Sequence, residues 1–373
     1  LKIACLATSK IPSRAANSIQ VMKTCHALNQ VDGPVRLWVP KSIPMDWEEL
    51  SEFYGLSNPF DVVGLNSIPI LRRYDLTIRS VLQARKWGAE LIYTWNLQAA
   101  VFALYKGMPV VLEMHALPSG SFGPRLFRKF LQMVGKKRLL VITDALRSLL
   151  ENEYHTNLQE KWVQIAPNGV DLDRYQNLPD APGARKILNI PERFTAAYTG
   201  HFYSGRGIQI LLHLARKFPQ VQFLWVGGNP EDVSLWQKKL KQDGLNNVIV
   251  TGFIIQERLP MYQSAAEILL MPYESAIAGS SGGNSADYCS PMKMFDYMAA
   301  RRVILTSDLP VIQEVLNNTN AVICPAEDAE AWEKAFLNLI NNPAQRDCLA
   351  AQARTDVLQF SWLERAEEAL QDF

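Results

Sequence analysis

Thr195-Ala196-Ala197-Tyr198-Thr199-Gly200-His201-Phe202-Tyr203-Ser204-Gly205-Arg206-Gly207 is a short apolar run that ends in a glycine-bearing turn carrying a fixed cation. A run this short, bounded by glycine, reads as a strand buried on both faces. The turn suits a pyrophosphate, because backbone N–H groups and an arginine can surround an anion together. The theme recurs downstream. Residues 221–226, 248–250, 268–271, 303–306 and 321–324 are strand-like, with helical patterns between them. Strand and helix alternating in this way imply a doubly wound α/β domain on a parallel sheet. Two further glycine turns, Val226-Gly227-Gly228 and Thr251-Gly252-Phe253-Ile254, follow later strands at the same sheet edge.

A fourth element joins these turns. In Cys289-Ser290-Pro291-Met292-Lys293-Met294-Phe295-Asp296-Tyr297-Met298-Ala299-Ala300, Ser290 is expected as a helix N-cap and Pro291 at the first helical position. Free amides at a helix start favour an anion, and Lys293 adds a full charge. The preceding loop, Ala278-Gly279-Ser280-Ser281-Gly282-Gly283-Asn284-Ser285, is small enough to fold over a ligand. Asp296, where a buried helix face would prefer an apolar residue, suits either the two hydroxyls of a ribose or a pairing with Arg301 or Arg302.

Upstream, Ala166-Pro167-Asn168-Gly169-Val170-Asp171 is a turn cluster, and residues 177–184 carry two prolines, an asparagine and a glycine. This reads as a domain junction. Asp171-Leu172-Asp173 has the spacing of a metal motif, but no other carboxylate or histidine lies close in sequence, so it reads as a turn.

The first half repeats the alternation. Residues 3–7, 35–39, 91–94, 110–114 and 139–142 read as buried strands, and 19–28 and 77–86 as helices. Ligands in such sheets bind at the carboxyl ends of strands. The turn after the first strand, residues 8–18, lacks GxGxxG, which argues against a dinucleotide site there. After the fourth strand comes Glu113-Met114-His115-Ala116-Leu117-Pro118-Ser119-Gly120. A lone histidine is more often structural, but this position makes His115 an active-site candidate. Arg125-Leu126-Phe127-Arg128-Lys129-Phe130-Leu131 and Lys136-Lys137-Arg138 form a basic stretch suited to anionic headgroups, or an ordinary exposed helix.

Length and composition agree. At 373 residues, with 48% hydrophobic and 20% charged residues, the chain suits two globular domains. No apolar run reaches a membrane span, the opening residues do not resemble a cleavable signal, and five cysteines without metal or disulfide spacing fit a reducing cytoplasm. The net charge of +1 hides an asymmetry: residues 1–170 hold 20 Lys and Arg against 13 Asp and Glu, and the remainder hold 18 against 24. A basic first half suits an anionic partner or membrane surface, or is clustering on a solvated face.

Taken in order, Pro167-Asn168-Gly169-Val170-Asp171, Tyr198-Thr199-Gly200 with Arg206-Gly207, Val226-Gly227-Gly228, Thr251-Gly252-Phe253, the 290–300 stretch and Phe360-Ser361-Trp362-Leu363-Glu364-Arg365-Ala366 resemble the retaining GT-B glycosyltransferases of glycosyltransferase family 4. The resemblance covers nearly the whole chain. It implies two Rossmann-like domains facing each other across a cleft: residues 1–170 for the acceptor, with 361–373 crossing back, and 171–360 for the nucleotide sugar. It places Arg206 and His201 at the diphosphate, Asp296 on the ribose, and Phe253 and Ile254 at the base. Cys289, Ser290 and Met292 would meet sugar hydroxyls and phosphate through backbone amides, His115 would bond the transferred sugar, and Asn17 is placed with the donor-binding residues. Departures from the family pattern fall at His201, where arginine is usual, at Asp296, where glutamate is usual, and at Tyr288. That last position, eight before Asp296, normally holds an acid, and here Asp287 lies beside it.

Catalysis is therefore expected from His115, Arg206 and Lys293, without a metal or cofactor, with a nucleotide sugar (UDP-glucose favoured) as co-substrate. The partners expected are a saccharide or lipid-linked acceptor and a membrane surface, and no nucleic acid. A sugar phosphorylase or a nucleotide-sugar epimerase shares the fold. A two-lobed sugar-binding protein would lack the phosphate turns, and a nicotinamide-dependent oxidoreductase would need the missing GxGxxG.

Overall fold

A computed structural model of the protein describes residues 1–68, 74–277 and 284–373. The chain divides into two compact units, Leu1–Asn168 with Trp362–Phe373, and Gly169–Ser361. Most of the 278–285 loop thus lies outside the described residues.

The first unit carries β1 (Ile3–Leu6), β2 (Val35–Pro40), β3 (Asp61–Leu65), β4 (Leu91–Thr94), β5 (Val110–Met114), β6 (Lys137–Val141) and β7 (Val163–Ile165). They form one parallel sheet in the order β3-β2-β1-β4-β5-β6-β7, with the order reversing between β1 and β4. Its central strands are apolar on both faces because helices cover both, as a parallel sheet requires. The helix Ala16–Asp32 is buried along Ser18 to Leu28, polar residues included, and packs against the helix Trp362–Leu370. The latter is part of this unit although it follows the second in sequence.

Three features depart from expectation. The edge strands β3 and β7 were not apparent: β3 is largely solvent-facing, with Asp61 paired to Arg36, and β7 has three half-buried residues. The strand expected at 139–142 begins two residues earlier, at Lys137. It can do so because the charges of Lys137 and Arg138 are satisfied internally. Lys137 Nζ donates to the carbonyls of Phe130, Leu131 and Met133 at 2.8, 2.8 and 2.7 Å, closing the end of the helix Gly123–Gln132. Arg138 donates to the Glu368 and Ala369 carbonyls. Two of the three charges in Lys136-Lys137-Arg138 therefore serve helix ends, and the outward basic set is Arg125, Arg128, Lys129 and Lys136.

The second unit carries β8 (Thr195–Thr199), β9 (Gln222–Val226), β10 (Val248–Gly252), β11 (Ile268–Met271), β12 (Val303–Ser307) and β13 (Val322–Cys324). Its parallel sheet runs β10-β9-β8-β11-β12-β13, reversing between β8 and β11. Tyr198, Phe223, Trp225, Trp332 and Phe336 fill its core. The carboxyl ends of β8, β9 and β10 lie side by side: Gly200 N–H donates to the Val226 carbonyl at 2.8 Å, and Gly227 bridges to Gly252. No helix among the described residues is long and apolar enough to cross a membrane.

Candidate functional site

The helix after Ser290 spans Met292–Ala299, with Pro291 in extended geometry (ψ 121°) at its cap position. The expected Ser290 cap is thus displaced by one residue, and Ser290 lies buried just before the helix. A proline with extended ψ can precede a helix but cannot be counted in its first turn.

This helix is fastened to the switch point of the sheet by Tyr297. Its phenol oxygen accepts from the Thr199 N–H at 2.8 Å and from Thr199 Oγ1 at 3.2 Å, and donates to the Leu270 carbonyl at 3.3 Å. β8, β11 and the helix meet at one buried hydroxyl. Lys293, one turn earlier on the same helix face, is thereby carried to the end of β8. Its ammonium lies 4.0 Å from the Tyr198 ring centroid and 5.3 Å from that of Tyr273. The Arg206 guanidinium lies 4.9 Å from the same Tyr273 ring. Both cations thus rest on aromatic faces, which attract cations through the ring quadrupole.

The turn that supplies Arg206 can take this path only with glycine at 207. Gly207 holds φ at +67°, and a Cβ there would stand 1.7 Å from the Pro272 carbonyl oxygen. That contact seats the turn against the segment leaving β11 and sets Arg206 beside Tyr273.

The electrostatics suit an anion. Burial pushes Lys293 well below the ordinary lysine value, and repulsion from Arg206 adds to this. Burial opposes the Arg206 charge, but its value still lies above the ordinary arginine one and the guanidinium stays charged. Burial raises Tyr273 to about 12 and Cys289 to about 11, with Arg206 opposing in both cases, so these groups are a neutral phenol and a neutral thiol at physiological pH. A diphosphate arriving here would meet the Arg206 guanidinium and a lysine whose charged form the anion favours.

The Leu172–Tyr175 turn of the junction places Tyr175 against Asp296. Burial, then the Asp296 charge, pushes the Tyr175 phenol well up. Its hydroxyl lies between Asp296 and Gln263 Oε1, 2.8 Å away, and its single proton serves one of them at a time. Arg302, considered as a partner for Asp296, donates to the Ser264 carbonyl at 2.9 Å. Asp171 faces Arg174 at 3.9 Å, consistent with a turn.

Of the remaining donor-side candidates, Phe253 and Ile254 follow β10, half-buried. The His201 ring stacks on Tyr203 at 4.8 Å and 10°, and its carbonyl accepts from the Tyr198 hydroxyl at 2.6 Å. Tyr288 and Met292 are half-buried, and Asp287 is exposed. Asn17 lies exposed on the first turn of the helix Ala16–Asp32, in the first unit. His115 stands just past the end of β5 in that unit, with a side chain 32% exposed and Nε2 2.5 Å from Glu113 Oε1.

The residues overlooked in the sequence are those that hold others in place: Tyr273 and Tyr297 around the cations, and Glu113 and Arg365 behind His115. Two left a trace. Tyr297 is four residues after Lys293, on one helix face, and Glu113 is an acid inside an otherwise apolar strand.

Two parallel doubly wound sheets with these turns at the strand ends define an α/β fold of the GT-B class. Residues 193–342, within the second unit, match the family model described as glycosyl transferases group 1. The chain is 21% identical over 262 residues to an alpha-galactosylglucosyldiacylglycerol synthase of Streptococcus pneumoniae, with 66% of each chain covered. It is 30% identical over 150 residues to TuaH of Bacillus subtilis, a glycosyltransferase named for teichuronic acid biosynthesis, covering 40% of this chain and 35% of that one. It thus spans just under two thirds of the first relative and about a third of the second. Among solved structures, HepE of Anabaena in complex with UDP-glucose superposes with a TM-score of 0.74 at 16% identity, covering 99% of this chain and 98% of that one.

Proposed function

We propose that the protein transfers a hexosyl group, glucose from UDP-glucose, to a saccharide or lipid-linked acceptor, with retention of configuration and without a metal. The observation that carries this reading is the pair of cations, Arg206 and Lys293, held on Tyr198 and Tyr273 beside a helix start at the carboxyl ends of β8 and β11. As the bond from the sugar C1 to the β-phosphate oxygen breaks, negative charge grows on the leaving diphosphate. Fixed donors placed where that charge develops lower the barrier with little reorganisation. The acceptor oxygen then bonds C1 from the same face, and its proton passes to the leaving phosphate. Asp296 takes the ribose hydroxyls, Phe253 and Ile254 border the base, and the amides at Cys289, Ser290 and Met292 meet phosphate and sugar. His201, Asn17 and either Asp287 or Tyr288 complete the donor site, and His115 hydrogen-bonds the transferred sugar.

The glucose donor is supported by a neighbour solved with UDP-glucose, and the lipid-linked acceptor by a relative named for a glycosyldiacylglycerol product. The helix Gly123–Gln132 supports a peripheral membrane contact. It presents exposed Arg125, Arg128 and Lys129, flanked by Phe122 at 56% and Val134 at 96% exposure.

Calorimetry with UDP-glucose, UDP-galactose, UDP-N-acetylglucosamine and GDP-mannose tests the donor site. Micromolar binding of UDP-glucose, weakened about tenfold or more in Asp296→Ala, is expected. Wild-type affinity in that variant, or no binding by any of the four, would remove the helix after Ser290 from the donor site.

A further inference from the structure

The first unit contains a buried charge cluster. Glu113, at the end of β5, is 1% exposed. Its Oε1 lies 2.6 Å from Gln20 Nε2, 2.7 Å from Arg365 Nη2 and 2.5 Å from His115 Nε2, and its Oε2 receives the Tyr93 hydroxyl. Arg365 also donates to the Pro167 carbonyl at 2.8 Å and the Ala166 carbonyl at 3.2 Å, which fixes its guanidinium in place. Burial works against the Glu113 charge, but Arg365 and the hydrogen bond from His115 more than offset it and hold the carboxyl down to about 2.

An ionised carboxylate has lone pairs and no proton, so every neighbour within hydrogen-bond distance must donate. Gln20, Tyr93 and Arg365 each have a proton to give. His115 must therefore carry its proton on Nε2. The other neutral tautomer would set a nitrogen lone pair 2.5 Å from a carboxylate oxygen.

We propose that Glu113, itself locked by Arg365, is the positioning residue for His115, fixing the ring in the Nε2–H tautomer so that Nδ1 is the nitrogen offered to the transferred sugar. This deepens the role given to His115 above and rests on that reading. A ring that carries one proton, on Nε2, accepts at Nδ1, so it selects a hydroxyl that donates its proton to the ring. The partner on one nitrogen sets the role of the other.

Nitrogen NMR of histidine-labelled full-length protein tests the assignment without any turnover. The His115 signals are identified by their loss in His115→Ala. Expected are an unprotonated Nδ1 and a protonated Nε2 in wild type, the same state in Glu113→Asp, and a mixture of tautomers in Glu113→Gln. A protonated Nδ1 or a mixture in wild type would overturn the proposal.

Kinetics supply the second arm, on variants whose circular dichroism matches wild type. Glu113→Gln is expected to lose about 10- to 100-fold in kcat with the donor KM within twofold, and Glu113→Asp to recover part of it. Wild-type kcat in a Glu113→Gln protein with mixed tautomers would also overturn the positioning role. Full activity in His115→Ala would instead remove His115 from the reaction, while the tautomer result would stand by itself.

Discussion

A Cβ at Gly200 would stand 2.7 Å from Lys293 Nζ and 3.2 Å from the Tyr198 hydroxyl, so the ammonium occupies the space that a side chain at this turn would need. Gly200 also holds φ at +142°, where a residue with a side chain is strained by about 1–3 kcal/mol. Gly200→Ala is therefore expected to lower stability by about that amount and to move Lys293 aside, weakening UDP-glucose binding about tenfold. Thermal unfolding and calorimetry on the same preparation check both effects. Unchanged donor affinity would mean that the ammonium is not used.

Burying Lys293 costs the fold stability. Its folded-state value is depressed, so the unfolded chain binds this proton more tightly, and stability rises with pH. The deficit is full below the depressed value and vanishes as pH rises to the ordinary 10.5. Lys293→Met is expected to stabilise the protein by about 0.5–2 kcal/mol near neutrality and to abolish donor binding. Unfolding scans from neutral to alkaline pH should show the gap between variant and wild type closing. A destabilised variant would count against this account.

Glu113 gives the opposite signature. Its carboxyl is held at about 2 against an ordinary 4.5, so its contribution is fully present above 4.5 and is lost as pH falls toward 2. Glu113→Gln leaves Arg365 buried without its anion and is expected to cost about 3 kcal/mol at neutral pH. Acid titration of stability should be flatter in the variant between those values. Parallel curves would place the acid-sensitive carboxylate elsewhere.

Charge reversal at Arg128 and Lys129 addresses the acceptor. Both lie exposed on the helix Gly123–Gln132, so fold and donor binding should be untouched. Co-sedimentation with vesicles containing anionic lipid should fall, along with transfer to lipid-linked acceptors, while a soluble saccharide acceptor is glycosylated as before. Equal vesicle binding by both proteins would argue against a membrane-facing helix.

What could be read from the chain followed physical legibility. Strands such as Leu91–Thr94 and Ile268–Met271 are apolar on both faces, and their runs stand out unaided. Edge strands do not: Asp61–Leu65 faces solvent over most of its length and carries a charge and a glycine. Turns that approach an anion announce themselves by glycine, so the segments at Gly200, Gly227 and Gly252 could be grouped before their adjacency was known. Residues that act through tertiary contact left little trace. Arg365 in sequence is one basic residue on an amphipathic helix, and nothing near it points to a carboxylate on β5. Tyr273 is a tyrosine after a strand until Arg206 and Lys293 are seen to share its ring.

Arg365 follows Tyr93, another member of its cluster, by 272 positions, and the whole second unit is made in between. On a ribosome the first sheet therefore emerges with Glu113 committed to the interior and its cation not yet synthesised. At roughly 5–20 residues per second the segment Gly169–Ser361 takes on the order of ten to forty seconds. During that interval residues 1–168 lack both the counter-ion and the covering helix, whereas Gly169–Ser361 is already continuous when it leaves the exit tunnel. The order of maturation is thus inverted relative to the order of translation: the half begun first is the half completed last.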